Sequence, residues 1–148
     1  MILFFDLDLK QIDRDSRNYS WPRPSDCGRC GHPKVWGHGF VTMIIEGFAK
    51  ALKMRRYRCP MCGRLIRLRP TEYFPRHQTD TATIRRTLAH RLSNHRWPMG
   101  CVTNRARHWL RALKRNAMAV LGLPGLDDLM AAFDRLVSMD RVPVRRTI

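Results

Sequence analysis

Four of the five cysteines in this 148-residue chain form two Cys-x-x-Cys pairs. "CGRC" holds Cys27 and Cys30, "CPMC" holds Cys59 and Cys62, and 28 residues separate the pairs. A glycine follows each second cysteine. Two thiolates three positions apart in a tight turn can reach one tetrahedral ion, and the glycine lets the backbone fold around the sulfurs. Two such turns close a four-sulfur shell with no open position. The expected chemistry is therefore structural, with one Zn²⁺ held by Cys27, Cys30, Cys59 and Cys62. A redox pair would need a single motif beside a βαβ pattern, and disulfides an oxidising compartment; neither signal is legible. With four thiols at hand, His32 and His38 are read as bystanders. Cys101 is read as a small buried side chain.

The second pair lies in "RRYRCPMCGR". Nearby cations lower a thiol's pKa and can make it a nucleophile, but a thiolate in a closed metal shell no longer attacks. Arg55, Arg56, Arg58, Arg64, Arg67 and Arg69 are then left to meet phosphate.

The whole chain points the same way. It carries 28 Lys plus Arg against 12 Asp plus Glu, a formal net charge of +16. Residues 1–20 are net −1, residues 21–117 net +17 and residues 118–148 net 0. A surface kept soluble by charge mixes both signs, so a one-signed middle segment implies a polyanion partner. No segment reaches the ~20 apolar residues of a membrane span, and "MILFFDLDLKQ" lacks a signal peptide's regions. A cytoplasmic, nucleoid-associated protein is expected.

These residues need elements to position them. "KVWGHGFVTMIIEGFAKALKMRRYR" and "RLIRLR" read as three short strands, with a turn at Glu46-Gly47. Two knuckles on a small antiparallel sheet make a zinc ribbon. From Asp80, whose carboxylate suits a helix cap, "DTATIRRTLAHRLSNH" places Ile84, Leu88 and Leu92 on one helical face. After a break at Pro98 and Gly100, "TNRARHWLRALKRNAMAVLG" puts Ala106, Trp109, Leu110, Leu113, Ala117 and Leu121 on one stripe, capped by Thr103 and ended at Gly122. Its opposite face carries Asn104, His108, Arg111 and Arg115, flanked by Arg107 and Lys114. That is the residue set of a groove-reading helix, since arginine reads guanine and asparagine adenine. Helix, break and longer basic helix suggest a helix-turn-helix. "LDDLMAAFDRLVSM" then aligns Leu126, Leu129, Met130, Phe133, Leu136 and Val137. This amphipathic helix packs on its own domain or, through residues 126–139, on a second copy or a protein partner. "RVPVRRTI" reads as a loose basic tail.

The expected fold is thus α+β, with an N-terminal arm (1–20), a four-cysteine zinc ribbon (21–76), helix-turn-helix-like basic helices (77–122), and an amphipathic helix with its tail (123–148). Ribbon and helices are expected to share a core, since neither has many apolar residues to spare.

Over roughly residues 21–117, "CGRCG", "RRYRCPMCGRLIRL" and the helix order resemble the N-terminal DNA-binding region of insertion-sequence transposases and their small stand-alone relatives. The resemblance implies binding to element ends or promoters, with the four cysteines as ligands and residues 103–116 as the reading helix. It departs from that family in its acids. Transposases continue into a catalytic domain that holds metal with carboxylates, whereas the middle segment here offers only Asp26, Glu46, Glu72 and Asp80. No enzyme is expected. Double-stranded DNA is the favoured partner, for a mobile-element or phage regulator. The alternatives are an RNA-binding subunit that stacks bases on Trp21, Trp36, Tyr57, Tyr73 or Phe74, and a basic module acting on a nucleic-acid enzyme.

Overall fold

A computed structural model describes residues 1–145, in two compact units that divide between Gln78 and Thr79. The first is built on a four-stranded sheet: β1 (Ile2–Phe5), β2 (Trp36–Met43), β3 (Leu52–Arg58) and β4 (Leu65–Pro70), in the order β1-β4-β3-β2. The three strands read from the sequence are antiparallel neighbours. Residues 1–20, set apart above as an arm, supply β1, which pairs parallel to β4, and α1 (Leu9–Asp15). The Asp8 carboxylate caps α1 by accepting from the Gln11 N–H at 2.9 Å, and Leu9 and Ile12 are buried.

Period-two alternation explains β4. Ile66, Leu68 and Pro70 are buried while Arg67, between them, is exposed. The core adds Met54, Tyr57, Leu7, Ile12, Val35 and Ile45, together with Cys27 and Cys59. β2 departs from simple alternation. Gly37 pairs with Tyr57 and Phe40 with Arg55, so β2 carries one residue more than β3 across this interval. The bulge is permitted by Gly39 at φ +72°, a backbone region that a side chain disfavours. Because side chains alternate, the extra residue moves Phe40 to the face opposite Trp36. Phe40 there meets Trp21 edge-on, with centroids 6.0 Å apart.

The second unit is helical: α2 (Thr81–Asn94), α3 (Thr103–Leu121), the single turn α4 (Pro124–Asp127) and α5 (Leu129–Ser138). Asp80 caps α2, accepting from the Thr83 N–H at 2.7 Å. The segment between α2 and α3 holds no further helix; it starts with His95 in a left-handed conformation. Thr103 is the first residue of α3 and not its cap, which is Val102 without a side-chain bond. Gly122, at φ +71°, ends it.

The amphipathic run near 126–139 is also corrected. It breaks at Asp128, whose extended backbone (φ −132°) lets its carboxylate cap α5 by accepting from Met130 and Ala131. Leu129, Phe133 and Leu136 are buried as expected, but Leu126 and Val137 are 38% and 40% exposed. The buried face of α5 packs against α2 and α3. Far from loose, residues 142–145 are held to α3, where the Asn116 amide donates to the Pro143 and Arg145 carbonyls and Val144 is buried. The rest of the tail, 146–148, lies outside the described residues.

Arg85 and Asp134 tie α2 to α5 through two parallel bonds, of 2.8 and 2.6 Å. The bond from Arg85 holds the Asp134 carboxyl below the usual carboxylate range. A depressed acid stabilises the fold above its unfolded pKa, and that contribution is lost as pH falls through the folded value. The pair is about half exposed, so Asp134→Asn should cost no more than about 1 kcal/mol at neutral pH. Denaturant melts of both proteins should converge as pH drops below about 4.

Candidate metal centre and the basic faces

The knuckles come from two places in the first unit. Cys59 and Cys62 lie in the connection from β3 to β4, and Cys27 and Cys30 in the loop before β2. The two are folded alike. In each, the first cysteine's N–H donates to a carbonyl five residues on: Cys27 to His32 at 2.9 Å, Cys59 to Arg64 at 3.0 Å. The glycine after the second cysteine donates back to the first, Gly31 to Cys27 at 2.8 Å and Gly63 to Cys59 at 3.0 Å. Both glycines have φ +68°, which explains why the sequence places glycine there twice.

This folding brings all four sulfurs within 4.8 Å of one another. Sγ of Cys27 lies 3.7 Å from that of Cys62, and Sγ of Cys30 lies 3.6 Å from that of Cys59. Four sulfurs at ~2.3 Å from a tetrahedral ion would stand about 3.8 Å apart. The cluster therefore has the dimensions of a metal-thiolate site. Cys27 and Cys59 are buried, Cys62 is half-buried and Cys30 is exposed. His32, His38 and Cys101 are not among its members, and Cys101 is half-buried instead of fully enclosed.

The electrostatics suit a cation. Backbone N–H groups of Arg29 and Cys30 aimed at the Cys27 sulfur, helped by the Cys62 and Cys59 thiols and opposed by burial, bring its pKa down to about 6. At Cys30 the His32 N–H pulls downward, but burial and the neighbouring Cys59, Cys62 and Cys27 thiols push the pKa up to about 12. The first proton leaves this cluster readily, and successive thiolates repel one another until a positive ion joins them.

The arginines around the cluster divide. Arg58, Arg64 and Arg67 are exposed, and Arg56 is half-buried. Arg55 is turned to the inner face, with its guanidinium 4.8 Å from the Phe40 ring centre and 5.7 Å from that of Tyr57. Its guanidinium occupies the space that a Cβ at Gly37 would need. Arg69 is half-buried and donates to the His77 carbonyl at 3.3 Å; burial lowers its pKa. In the second unit, Asn104, Arg107, His108, Arg111, Lys114 and Arg115 of α3 are all exposed. Its buried stripe is Ala106, Trp109, Ala112, Leu113 and Ala117, with Leu110 and Leu121 half-buried. No helix among the described residues is long and apolar enough to cross a membrane.

The charge run around the second knuckle concealed Arg29, which lies inside the first. It lines an open cleft with Arg64 and Arg67. The visible signal was its place between two ligands, where a side chain must point away from the sulfurs.

If one ion completes the cluster, Cys59→Ser should abolish stoichiometric metal in elemental analysis of the purified chain. The same substitution should remove the thermal transition of the first unit while the helical signal of the second persists. Full metal content in that variant would overturn the four-thiolate assignment. Comparison with protein-family models, curated proteins and solved structures finds no match to this chain.

Proposed function

We propose that the chain is a zinc-dependent, sequence-specific binder of double-stranded DNA, a regulator or accessory factor of the mobile-element or phage type, and not an enzyme. In this reading the first unit is a zinc ribbon, and α2 with α3 acts as a helix-turn-helix. The four-thiolate donor set suits Zn²⁺, which accepts a closed tetrahedral sulfur shell.

One observation carries the DNA assignment. On α3, Asn104, Arg107, His108, Arg111, Lys114 and Arg115 are all exposed, and no acid stands among them. At 100° per residue these six fall within about 120° of arc, and they extend about 17 Å along the axis. A helix face of that width and length fits a major groove about 12 Å wide. Asn104, Arg111 and Arg115 lie near its centre and face base edges; Arg107 and Lys114 lie toward one rim and His108 at the other, where phosphates run. The buried stripe on the other side fixes the helix against α2 and α5, so the reading face is presented on a rigid element.

Arg111→Ala should cost about 1–3 kcal/mol at the preferred sequence and relax selectivity at one base position, with nonspecific binding retained. Lys114→Ala should weaken all sequences alike and lower the salt slope by about one. Selection of bound duplexes from a random pool, followed by salt titration of the winners, measures both. Undiminished selectivity in Arg111→Ala removes α3 from base reading.

A further inference from the structure

Of the five aromatic residues read from the sequence as base-stacking candidates, the structure withholds four. Tyr57 and Tyr73 are buried, while Trp21 and Phe74 are half-buried beside ring partners. Trp36 differs from them: it is 64% exposed. Its surroundings follow from the strand register. Trp36 pairs with Arg58, which pairs with Leu65; one row on, Arg56 pairs with Arg67 and Arg67 with Ile2. Paired residues share a face, as do residues two apart on one strand. A single face of the sheet therefore carries an exposed tryptophan on its β2 edge and Arg58 and Arg67 across its middle. Toward the β1 edge, Ile2 and Phe4 are 39% and 42% exposed.

Three residues of this face, Ile2, Leu65 and Arg67, also line the open cleft of about 480 Å³. Its other walls bring Arg29 from the first knuckle and Arg64 from the end of the second, and no carboxylate lines it. Burial first, and then the charges of Arg64 and Arg67, hold the Met1 amino group below its ordinary pKa.

We propose that this face binds single-stranded nucleic acid, with a base stacked on Trp36 and a backbone phosphate held among Arg29, Arg64 and Arg67. The chemistry selects a single strand over a duplex. An exposed indole offers a flat surface to the face of a base, and in a duplex those faces are already stacked on one another. Three guanidiniums converging on a cleft without acids match a phosphodiester. Trp36 and the cleft lie at opposite ends of one surface about two to three strand spacings, or ~10–15 Å, across, which asks for a segment of strand and not a mononucleotide. Two of the three arginines are carried by the metal knuckles, so the cleft depends on the centre that closes them. This inference rests on the first unit alone and is independent of the duplex reading of α3.

The test is fluorescence anisotropy of the full, metal-loaded chain with labelled twelve-nucleotide DNA and RNA single strands of one sequence. Trp36→Ala should weaken binding by about ten-fold, and Trp36→Phe should restore most of it. Arg64→Ala should lower the salt slope by about 0.7. Trp36 is exposed, so each variant should keep the parent's metal content and melting curve, which separates lost stacking from lost folding. Similar losses for DNA and RNA support recognition of base and phosphate alone. Tighter RNA binding that Trp36→Ala still weakens supports the same platform with an added ribose contact. Parental affinity in Trp36→Ala, or no binding of either strand at low salt, overturns the proposal. So does single-strand binding that Arg111→Ala weakens and Trp36→Ala does not, since that result moves the site to α3. Failure of the duplex reading would appear separately, as unchanged sequence selection in Arg111→Ala.

Discussion

The first unit depends on bringing four sulfurs to within 4.8 Å of one another. Thiolates at that distance repel strongly, and thiols there offer each other only weak hydrogen bonds. A dication would resolve the conflict by deprotonating all four and holding them at the spacing already present. Much else in the unit serves this closure. The paired φ +68° glycines shape the turns, backbone N–H groups aim at the Cys27 sulfur, and two buried cysteines form part of the apolar core. The charge around the knuckles follows from the same constraint. Four thiolates about a dication carry a net charge of about −2, which favours cationic surroundings. Arginines are suited to that place because they stay charged beside sulfur and still reach outward.

Those arginines do not all do the same work, and the sheet register decides which does what. Arg55 shares a face with Phe40 and Tyr57 and is drawn into an aromatic group. Arg58 and Arg67 have the opposite parity and face outward. The bulge at Gly39 completes the separation. Without its extra residue Phe40 would share Trp36's face, the inner group would lose a ring, and the outer face would gain a buried-type aromatic. With it, Trp36 alone among the candidate stacking residues stays mostly exposed, next to a guanidinium. An alternating "RLIRLR" thus builds the core and the basic face at once, since Ile66 and Leu68 take one side and Arg67 the other.

Local patterns made much of this legible. Cysteine spacing, the period-two strands, the Asp80 cap and the α3 stripe each depend on residues close in sequence. What stayed hidden depends on partners far away or on close competition. Nothing in "ILFF" announces that it will pair parallel to residues more than sixty positions later, as the Met1 amino group does in donating to the Leu65 carbonyl at 2.9 Å. The bulge requires the facing strand's register, since simple alternation along β2 would put Trp36 and Phe40 on one face. Near residue 128, apolar periodicity favoured one continuous helix, but an aspartate that accepts two backbone N–H bonds at its start competes better as a cap than as an interior residue. Asn116 escaped notice because its role, holding the Pro143 carbonyl, lies 27 positions away.

In the proposed readings, the separate basic faces of the two units would divide the recognition problem in a way that a single face could not. A rigid helix reads edges along a groove, where bases are paired and stacked, and its selectivity depends on bidentate geometry. A sheet bearing an exposed indole and an arginine cleft meets bases whose faces are free, and it tolerates many sequences. The second arrangement requires a wide, flat surface held open without a core behind every side chain. The first unit offers such a surface at one end of this face only: Leu52 and Met54, of the same parity as Arg58, are buried, whereas Trp36, Arg58 and Arg67 stay exposed. Placing guanidiniums on the knuckles then ties the face's charge to the ion. If the cluster holds an ion, losing that ion would remove the geometry of Arg29 and Arg64 together with the turns that carry them.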